Sequence, residues 1–314
     1  MGRIAAIFPG QGSQFVGMGR DVFDGSPGAR IVFERANQCL GMDLSRLCFE
    51  GPEEQLEPTD IQQPAIFVTS AALWEAWLEA GGSRASFSAM GGLSLGEYTA
   101  LYAAGAVEFE DALRLVQRRG ELMQQAAQAR PGGMVSLVGA DEPSAKALCD
   151  RARGDGVLAP ANYNCPGQIV IAGTKDACDR AASLAEQLDC RAVPLPVAGA
   201  FHTPLMESAA EGLSTMLQRT RFQTPAVPVV ANVDARYHGG PEGIRESLRR
   251  QLTQPVLWQR CVERMTADGV ERFLEMGPGR VLTGLMRKID RKLNAVSVGT
   301  MDAIASTTAA PSAA

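Results

Sequence analysis

The sequence predicts an α/β protein: a larger unit built on a parallel sheet, with a smaller ferredoxin-like unit inserted into it. Three observations carry this. Short apolar strands alternate with helical stretches along most of the 314 residues, the pattern of a parallel sheet covered by helices. Residues 131–198 read strand, helix, strand, strand, helix, strand, the order of the split ferredoxin-like unit. The chain then resumes its helices and strands, so the larger unit comprises residues 1–130 and 199–300. Residues 301–314, dominated by Ala, Ser and Thr, read as a disordered tail.

Taken in order, residues 4–8 form an apolar strand that ends at Pro9. The loop Gly10-Gln11-Gly12-Ser13-Gln14 follows, with small residues that let backbone amides approach a ligand. Residues 64–80 carry a helix signature, with Pro64 at its start and Gly81-Gly82 as its stop. A short strand at residues 86–90 leads through Gly92-Leu93-Ser94-Leu95-Gly96 into a helix at residues 97–104. In residues 109–128 the apolar positions Phe109, Ala112, Leu113, Val116, Gly120 and Met123 recur at helical steps. An advance of about 100° per residue puts Arg114 and Arg118 opposite this stripe but Arg119 at its edge, beside Ala112. An arginine there points inward or along a cleft rim.

Pro131-Gly132-Gly133 marks the boundary of the inserted unit. Its strands fall at residues 134–138, 157–162, 168–172 and 191–197, and its helices at 143–153 and 176–188. Beyond it come a helix at 206–219, a strand at 227–232, and helices at 242–251 and 256–268. A strand at 272–276 and the turn Gly277-Pro278-Gly279 lead into a final helix.

Composition narrows the class. A net charge of −5 argues against a nucleic-acid partner, and no apolar stretch is long enough to span a bilayer. The seven cysteines contain no C-x-x-C pair, and the N-terminus runs straight into a strand rather than a targeting signal. These features predict reduced thiols, a cytoplasmic location and no metal site. With no obvious apolar surface stripe, the expected state is a monomer.

The G-x-S-x-G run places Ser94 on a sharp strand-to-helix turn, the geometry of a nucleophile elbow. A serine needs a base at neutral pH, and the chain has two histidines. His238, in Tyr237-His238-Gly239-Gly240-Pro241, reads as part of an exposed turn. His202 lies in a loop between a strand and a helix, where α/β enzymes place functional side chains, and is the candidate base.

Five segments together resemble the malonyl-CoA:acyl carrier protein transacylases over about residues 4–290. They are Phe8-Pro9-Gly10-Gln11-Gly12-Ser13-Gln14, Gly92-Leu93-Ser94-Leu95-Gly96-Glu97-Tyr98, Asn162-Tyr163-Asn164-Cys165-Pro166-Gly167-Gln168, Gly199-Ala200-Phe201-His202-Thr203-Pro204 and Glu275-Met276-Gly277-Pro278-Gly279. The resemblance implies an α/β-hydrolase-like larger subdomain, with the active site between it and the ferredoxin-like one. It implies Ser94 as nucleophile, His202 as base and Arg119 as partner of the malonyl carboxylate. The backbone amides of Gln11 and Leu95 would form the oxyanion hole, and the Gln251 carbonyl would orient the histidine. Phe201 and Asn162 would line the acyl pocket, with Phe201 crowding a substituent on the acyl C2. The CoA thioester is a substrate, and no cofactor is expected.

Position 93, usually histidine in that family, is leucine here. The second substrate would be an acyl carrier protein, met by a basic patch at Arg287, Lys288, Arg291 and Lys292, with Arg249-Arg250 as further local charge. A free-standing polyketide acyltransferase would use the same chemistry, and a serine acyl hydrolase would share the Ser94–His202 pair.

Overall fold

The computed structural model describes residues 2–197 and 199–308. Strand β1 (Arg3–Phe8) opens the chain and is followed by α1 (Arg20–Gly25), α2 (Pro27–Leu40), α3 (Leu44–Glu50), α4 (Glu53–Leu56) and the long α5 (Thr59–Glu79). Then come β2 (Phe87–Gly92), α6 (Leu95–Ala103) and α7 (Phe109–Ala129). The smaller unit runs β3 (Gly132–Val138), α8 (Glu142–Ala152), β4 (Leu158–Cys165), β5 (Gln168–Thr174), α9 (Lys175–Leu184) and β6 (Arg191–Pro194). The chain finishes with α10 (Glu207–Arg219), α11 (Pro241–Gln251), α12 (Trp258–Ala267), β7 (Val270–Met276), α13 (Val281–Ile289), β8 (Asn294–Val298) and α14 (Met301–Thr308).

The larger sheet has the order β2-β1-β7-β8 with every pair parallel. A parallel sheet is covered on both faces, and Ala5, Ala6, Ile7 and Phe8 on central β1 are accordingly fully buried. Ala6 and Phe8 face the core that contains α5, whereas Ala5 and Ile7 face α12 residues such as Val262 and Met265. Helix α5 is buried around almost its whole circumference, as befits a helix apolar on all sides. It anchors an aromatic cluster in which Trp74 stacks on Trp77 at 5.7 Å and meets Phe8 edge-on at 6.3 Å.

The smaller sheet has the order β4-β5-β3-β6 with every pair antiparallel, the ferredoxin-like arrangement that the element order predicts. Alternation along the strands divides its side chains. Val135, Leu137, Ile169 and Ile171 pack against α8 and α9, while Met134, Val170 and Ala172 face the larger unit. That second face forms one wall of the cleft described below.

Four expectations need correction. Pro64 does not start its helix, which begins at Thr59, so Pro64 lies inside α5. Proline there forfeits one early backbone bond, and packing of the buried helix outweighs that loss. Residues 227–232 contribute only isolated bridges, Met90 to Val229 and Val230 to Tyr237, rather than a strand. Strand β8 was missed because its five residues are mostly half-buried and show weak alternation. The C-terminal stretch is not a tail from its first residue: α14 docks through Ile304, which is 1% exposed, and the Met301 amide donates to Asp21 Oδ2 at 2.9 Å. Residues 309–314 of the expected tail lie outside the described residues.

Candidate active site

Between β2 and α6 the chain turns within two residues, and Ser94 takes φ 52 and ψ −101. That conformation is strained for a residue with a Cβ and holds only where neighbours over-determine it. A Cβ at Gly92 would lie 2.0 Å from the carbonyl carbon of Gly96, and one at Gly96 would lie 2.0 Å from the Phe8 oxygen. Glycine is therefore the only residue these two close approaches admit. The turn is tied down by the Ser94 amide, which donates to Asn232 Oδ1 at 2.6 Å.

His202 sits in the loop after β6, also at positive φ (61). Its Nε2 is 2.9 Å from Ser94 Oγ, and its Nδ1 is 2.6 Å from the Gln251 carbonyl oxygen. A carbonyl only accepts, so the ring proton is on Nδ1 and Nε2 is free to accept from the serine hydroxyl. Burial, reinforced by the charge of Arg119, lowers the His202 pKa to about 4, while the bond to Gln251 works in the opposite direction. The imidazole is therefore neutral at neutral pH, the form a general base requires.

Arg119, on α7, is 1% exposed. Its guanidinium donates to Gln63 Oε1 at 2.7 Å, to Ser94 Oγ at 2.8 Å and to Gln251 Oε1 at 2.9 Å, and it lies over the Tyr98 ring at 5.4 Å. Its Nε has no partner, and among the described residues it forms no ion pair. Burial pulls its pKa down. A buried cation satisfied only by neutral acceptors is costly, and an incoming anion would relieve that cost.

Ser94, His202, Gln11, Asn162 and Phe201 line a cleft of about 630 Å³ between the two sheets. Met134, Val170, Leu195 and Val197 form its apolar side. Asn162, on β4, is 7% exposed. Leu95 is the first residue of α6, so its amide belongs to the first turn, which has no intrahelical acceptor, at the positive end of the helix dipole. Gln11 lies in the turn after β1 and borders the same space. Leu93 is half-buried, lines the cleft and packs against the core cluster that contains Val230, Val262 and Met265.

Residues 6–307 match the family model described as "Acyl transferase domain". The chain belongs to the acyl transferase family. It is 43% identical over 306 residues to the malonyl CoA-acyl carrier protein transacylase of Escherichia coli, covering 97% of this chain and 98% of that one. A crystal structure of an acyl carrier protein S-malonyltransferase from Vibrio cholerae superposes with a TM-score of 0.93 at 42% identity, covering 97% and 99% of the two chains. A malonyl-transacylase solved in complex with its type II polyketide synthase acyl carrier protein gives 0.92 at 42% identity, covering 96% and 97%.

In this acyltransferase the expected basic residues lie apart from the chemistry. Arg287 and Lys288 are exposed on α13, and Arg291 and Lys292 follow it; among the described residues none of the four forms an ion pair. The helix reaches the cleft through Val281 and Leu285. Its N-terminus is fixed by buried Glu275, which accepts from the Leu282 amide, the Thr283 amide and the Thr283 hydroxyl at 2.9, 2.7 and 2.6 Å. Arg249 instead pairs with Glu246 at 3.1 Å.

The reading of His238 as part of an exposed turn is wrong. Its main chain is near the surface, but its ring turns inward, fully buried, with Nε2 3.0 Å from Glu97 Oε1. Glu97, Asn232, Gln63 and Tyr98 were also missed as parts of the site. Glu97 left a signal: it is the single charged side chain in the otherwise uncharged run Leu95–Ala103. The other three left none, because only the fold brings them beside Arg119 and Ser94.

Proposed function

We propose that this acyltransferase moves a malonyl group from malonyl-CoA to the phosphopantetheine thiol of an acyl carrier protein, through a malonyl ester on Ser94. The observation that carries the reading is Arg119, a buried guanidinium without an anionic partner, 2.8 Å from the serine oxygen. A short acyl group bearing a terminal carboxylate fits that spacing, and a bidentate pair would satisfy the arginine.

Ser94 Oγ attacks the thioester carbonyl as its proton passes to His202 Nε2. The charge that develops on the carbonyl oxygen is met by the Gln11 and Leu95 amides. Collapse expels the CoA sulfur, which takes the proton from His202. The carrier thiol then gives its proton to His202 and attacks the ester, and the same steps in reverse release Ser94. Gln251 holds the imidazole tautomer through its carbonyl. Phe201 and Asn162 shape the acyl pocket.

The carrier docks at the cleft mouth, with Arg287, Lys288, Arg291 and Lys292 attracting its acidic surface. The similarity to both kinds of relative, those named for malonyl transfer alone and the one bound to a polyketide carrier, supports a shared chemistry in which only the carrier differs.

Intact-mass measurement after brief exposure to malonyl-CoA tests this. The expected result is a malonyl adduct that disappears on adding holo carrier protein and is absent in Ser94→Ala. Release of CoA without a persisting adduct would replace transfer with hydrolysis.

A further inference from the structure

The proposed mechanism leaves unused a buried carboxylate beside the serine turn, that of Glu97. Glu97 and His238 have no exposed side-chain surface, and they lie behind the serine turn rather than in the cleft. Glu97 Oε2 accepts from the Gln251 side-chain amide at 2.8 Å and from the Asn232 backbone amide at 3.0 Å, and its Oε1 meets His238 Nε2 at 3.0 Å.

We infer that Glu97 is the positioning residue of the site, setting Ser94 through Asn232 and Arg119 through Gln251. The Gln251 side chain is caught between two charged neighbours. An acceptor-only carboxylate lies on one side and a donor-only guanidinium on the other, so only one amide orientation satisfies both. The amide nitrogen faces Glu97 and also donates to the Ser94 carbonyl at 3.0 Å, which leaves Oε1 to accept from Arg119 at 2.9 Å. Without the carboxylate the amide nitrogen keeps only its longer bonds to the Ser94 carbonyl and Asn232 Oδ1, so that orientation is held less firmly, and a flipped amide would set N–H against N–H at Arg119.

On the other branch Glu97 holds the Asn232 backbone, while the Asn232 side chain accepts from the Ser94 amide at 2.6 Å and donates to the Gly92 carbonyl at 2.8 Å. The strained turn is thus clamped on both sides of the nucleophile. His238 occupies the remaining carboxylate oxygen, and among the described residues its Nδ1 has no partner, so the ring's contribution to this network is its contact with Glu97. Neither residue touches the cleft. Both act through others.

This inference builds on Ser94 as nucleophile and on malonyl as the acyl group, so its test uses two probes. The first is labelling of Ser94 by a fluorophosphonate, which needs the serine and its base but no carboxylate recognition. The second is the ratio of Ser94 acylation by malonyl-CoA to that by acetyl-CoA, read by intact mass. Glu97→Leu is expected to slow fluorophosphonate labelling about tenfold and to lower the malonyl-to-acetyl ratio at least fivefold, with circular dichroism confirming the fold.

His238→Leu should lose several-fold in labelling, and His238→Gln, which keeps a donor in reach of Glu97, should recover most of that loss. Unchanged labelling in a folded Glu97→Leu protein would overturn the proposal, as would equal loss in the two His238 variants. Should Glu97→Leu fail to fold, the His238 pair decides alone. If the wild-type protein takes malonyl no better than acetyl, the malonyl reading fails, and the labelling arm still judges Glu97.

Discussion

The two walls of the cleft are built from opposite materials. On the larger-sheet side Ser94 and His202 line the cleft, with Arg119 and Gln251 buried behind them; all four are joined by hydrogen bonds, and two are in strained backbone conformations. The wall from the smaller sheet offers apolar Met134 and Val170 on regular strands, with Leu195 and Val197 beyond β6, and the neutral polar side chains of Asn162, Asn164 and Gln168. The first wall concentrates uncompensated polarity and strain, which are costly and persist because a dense network over-determines them. The second has no charged side chain among its lining residues. Reaction chemistry is therefore carried by the larger unit, while shape selection draws on both units, through Phe201 beside His202 and the apolar side chains opposite, and substitutions for chemistry and for shape should differ in kind as well as in size.

The largest effect is expected at the polar wall. His202→Ala should lower the rate of Ser94 acylation by about 10²–10⁴-fold, the usual contribution of a positioned base, as followed by rapid-quench mass measurement. The same histidine predicts a pH profile. Its folded pKa of about 4 lies below the ordinary 6.5, so acylation should rise with pH through about 4 and stay level through neutrality. The sign for stability follows from proton uptake: between about 4 and 6.5 the unfolded chain binds the extra proton, so this group's contribution is complete above 6.5 and is lost as pH falls towards 4. Denaturant midpoints measured across that window check the direction, and an acylation midpoint near 6.5 would contradict the burial argument.

Next in size is the charge in the same wall. Arg119→Ala removes the cation that a carboxylate would pair with, and the malonyl-to-acetyl ratio should fall by about 10²-fold, near the low end of the roughly 3–5 kcal/mol that losing one partner of a buried charge pair costs. Equal losses with the two donors would mean that Arg119 serves only to hold Ser94.

A smaller change is expected where selection is by shape. Phe201→Ala should raise use of methylmalonyl-CoA relative to malonyl-CoA by about tenfold, since one methyl group in a pocket is worth about 1–3 kcal/mol. An unchanged ratio would move selectivity to the smaller-sheet side, and Val170→Ala would then be the next variant to measure.

The smallest effect lies outside both walls. If exposed Arg287 and Lys288 attract the carrier, raising ionic strength from 0.05 to 0.5 M (about 14 to 4 Å of screening length) should raise the carrier KM several-fold and the malonyl-CoA KM less. Parallel changes would remove the patch from the docking surface.

How much of this was legible in the sequence depends on whether a feature is local. The Ser94 turn could be read because one of its close approaches is local, Gly92 against Gly96, although the other, Gly96 against Phe8 on the adjoining strand, joins segments distant in the chain. The ferredoxin-like unit could be read because its order of elements is contiguous. The inward tilt of Arg119 followed from helical periodicity alone. His238 was misread because a Tyr-His-Gly-Gly-Pro run describes its backbone and says nothing about where the ring turns. Residues 301–308 were misread because two apolar side chains, Met301 and Ile304, are enough to dock a helix that composition alone makes look disordered.

What the sequence determined by itself, then, was the set of local geometries: a strained serine turn, an arginine on the inner edge of a helix, and a split βαββαβ unit. Each depends on residues close in the chain and on sterics that act within one element. Only the tertiary structure decided which of these meet. Residues 94, 119, 202 and 251 come from four separate segments. Their hydrogen bonds form because these segments pack together and bury all four side chains, and that burial also makes His202 neutral and, among the described residues, leaves Arg119 without an anion.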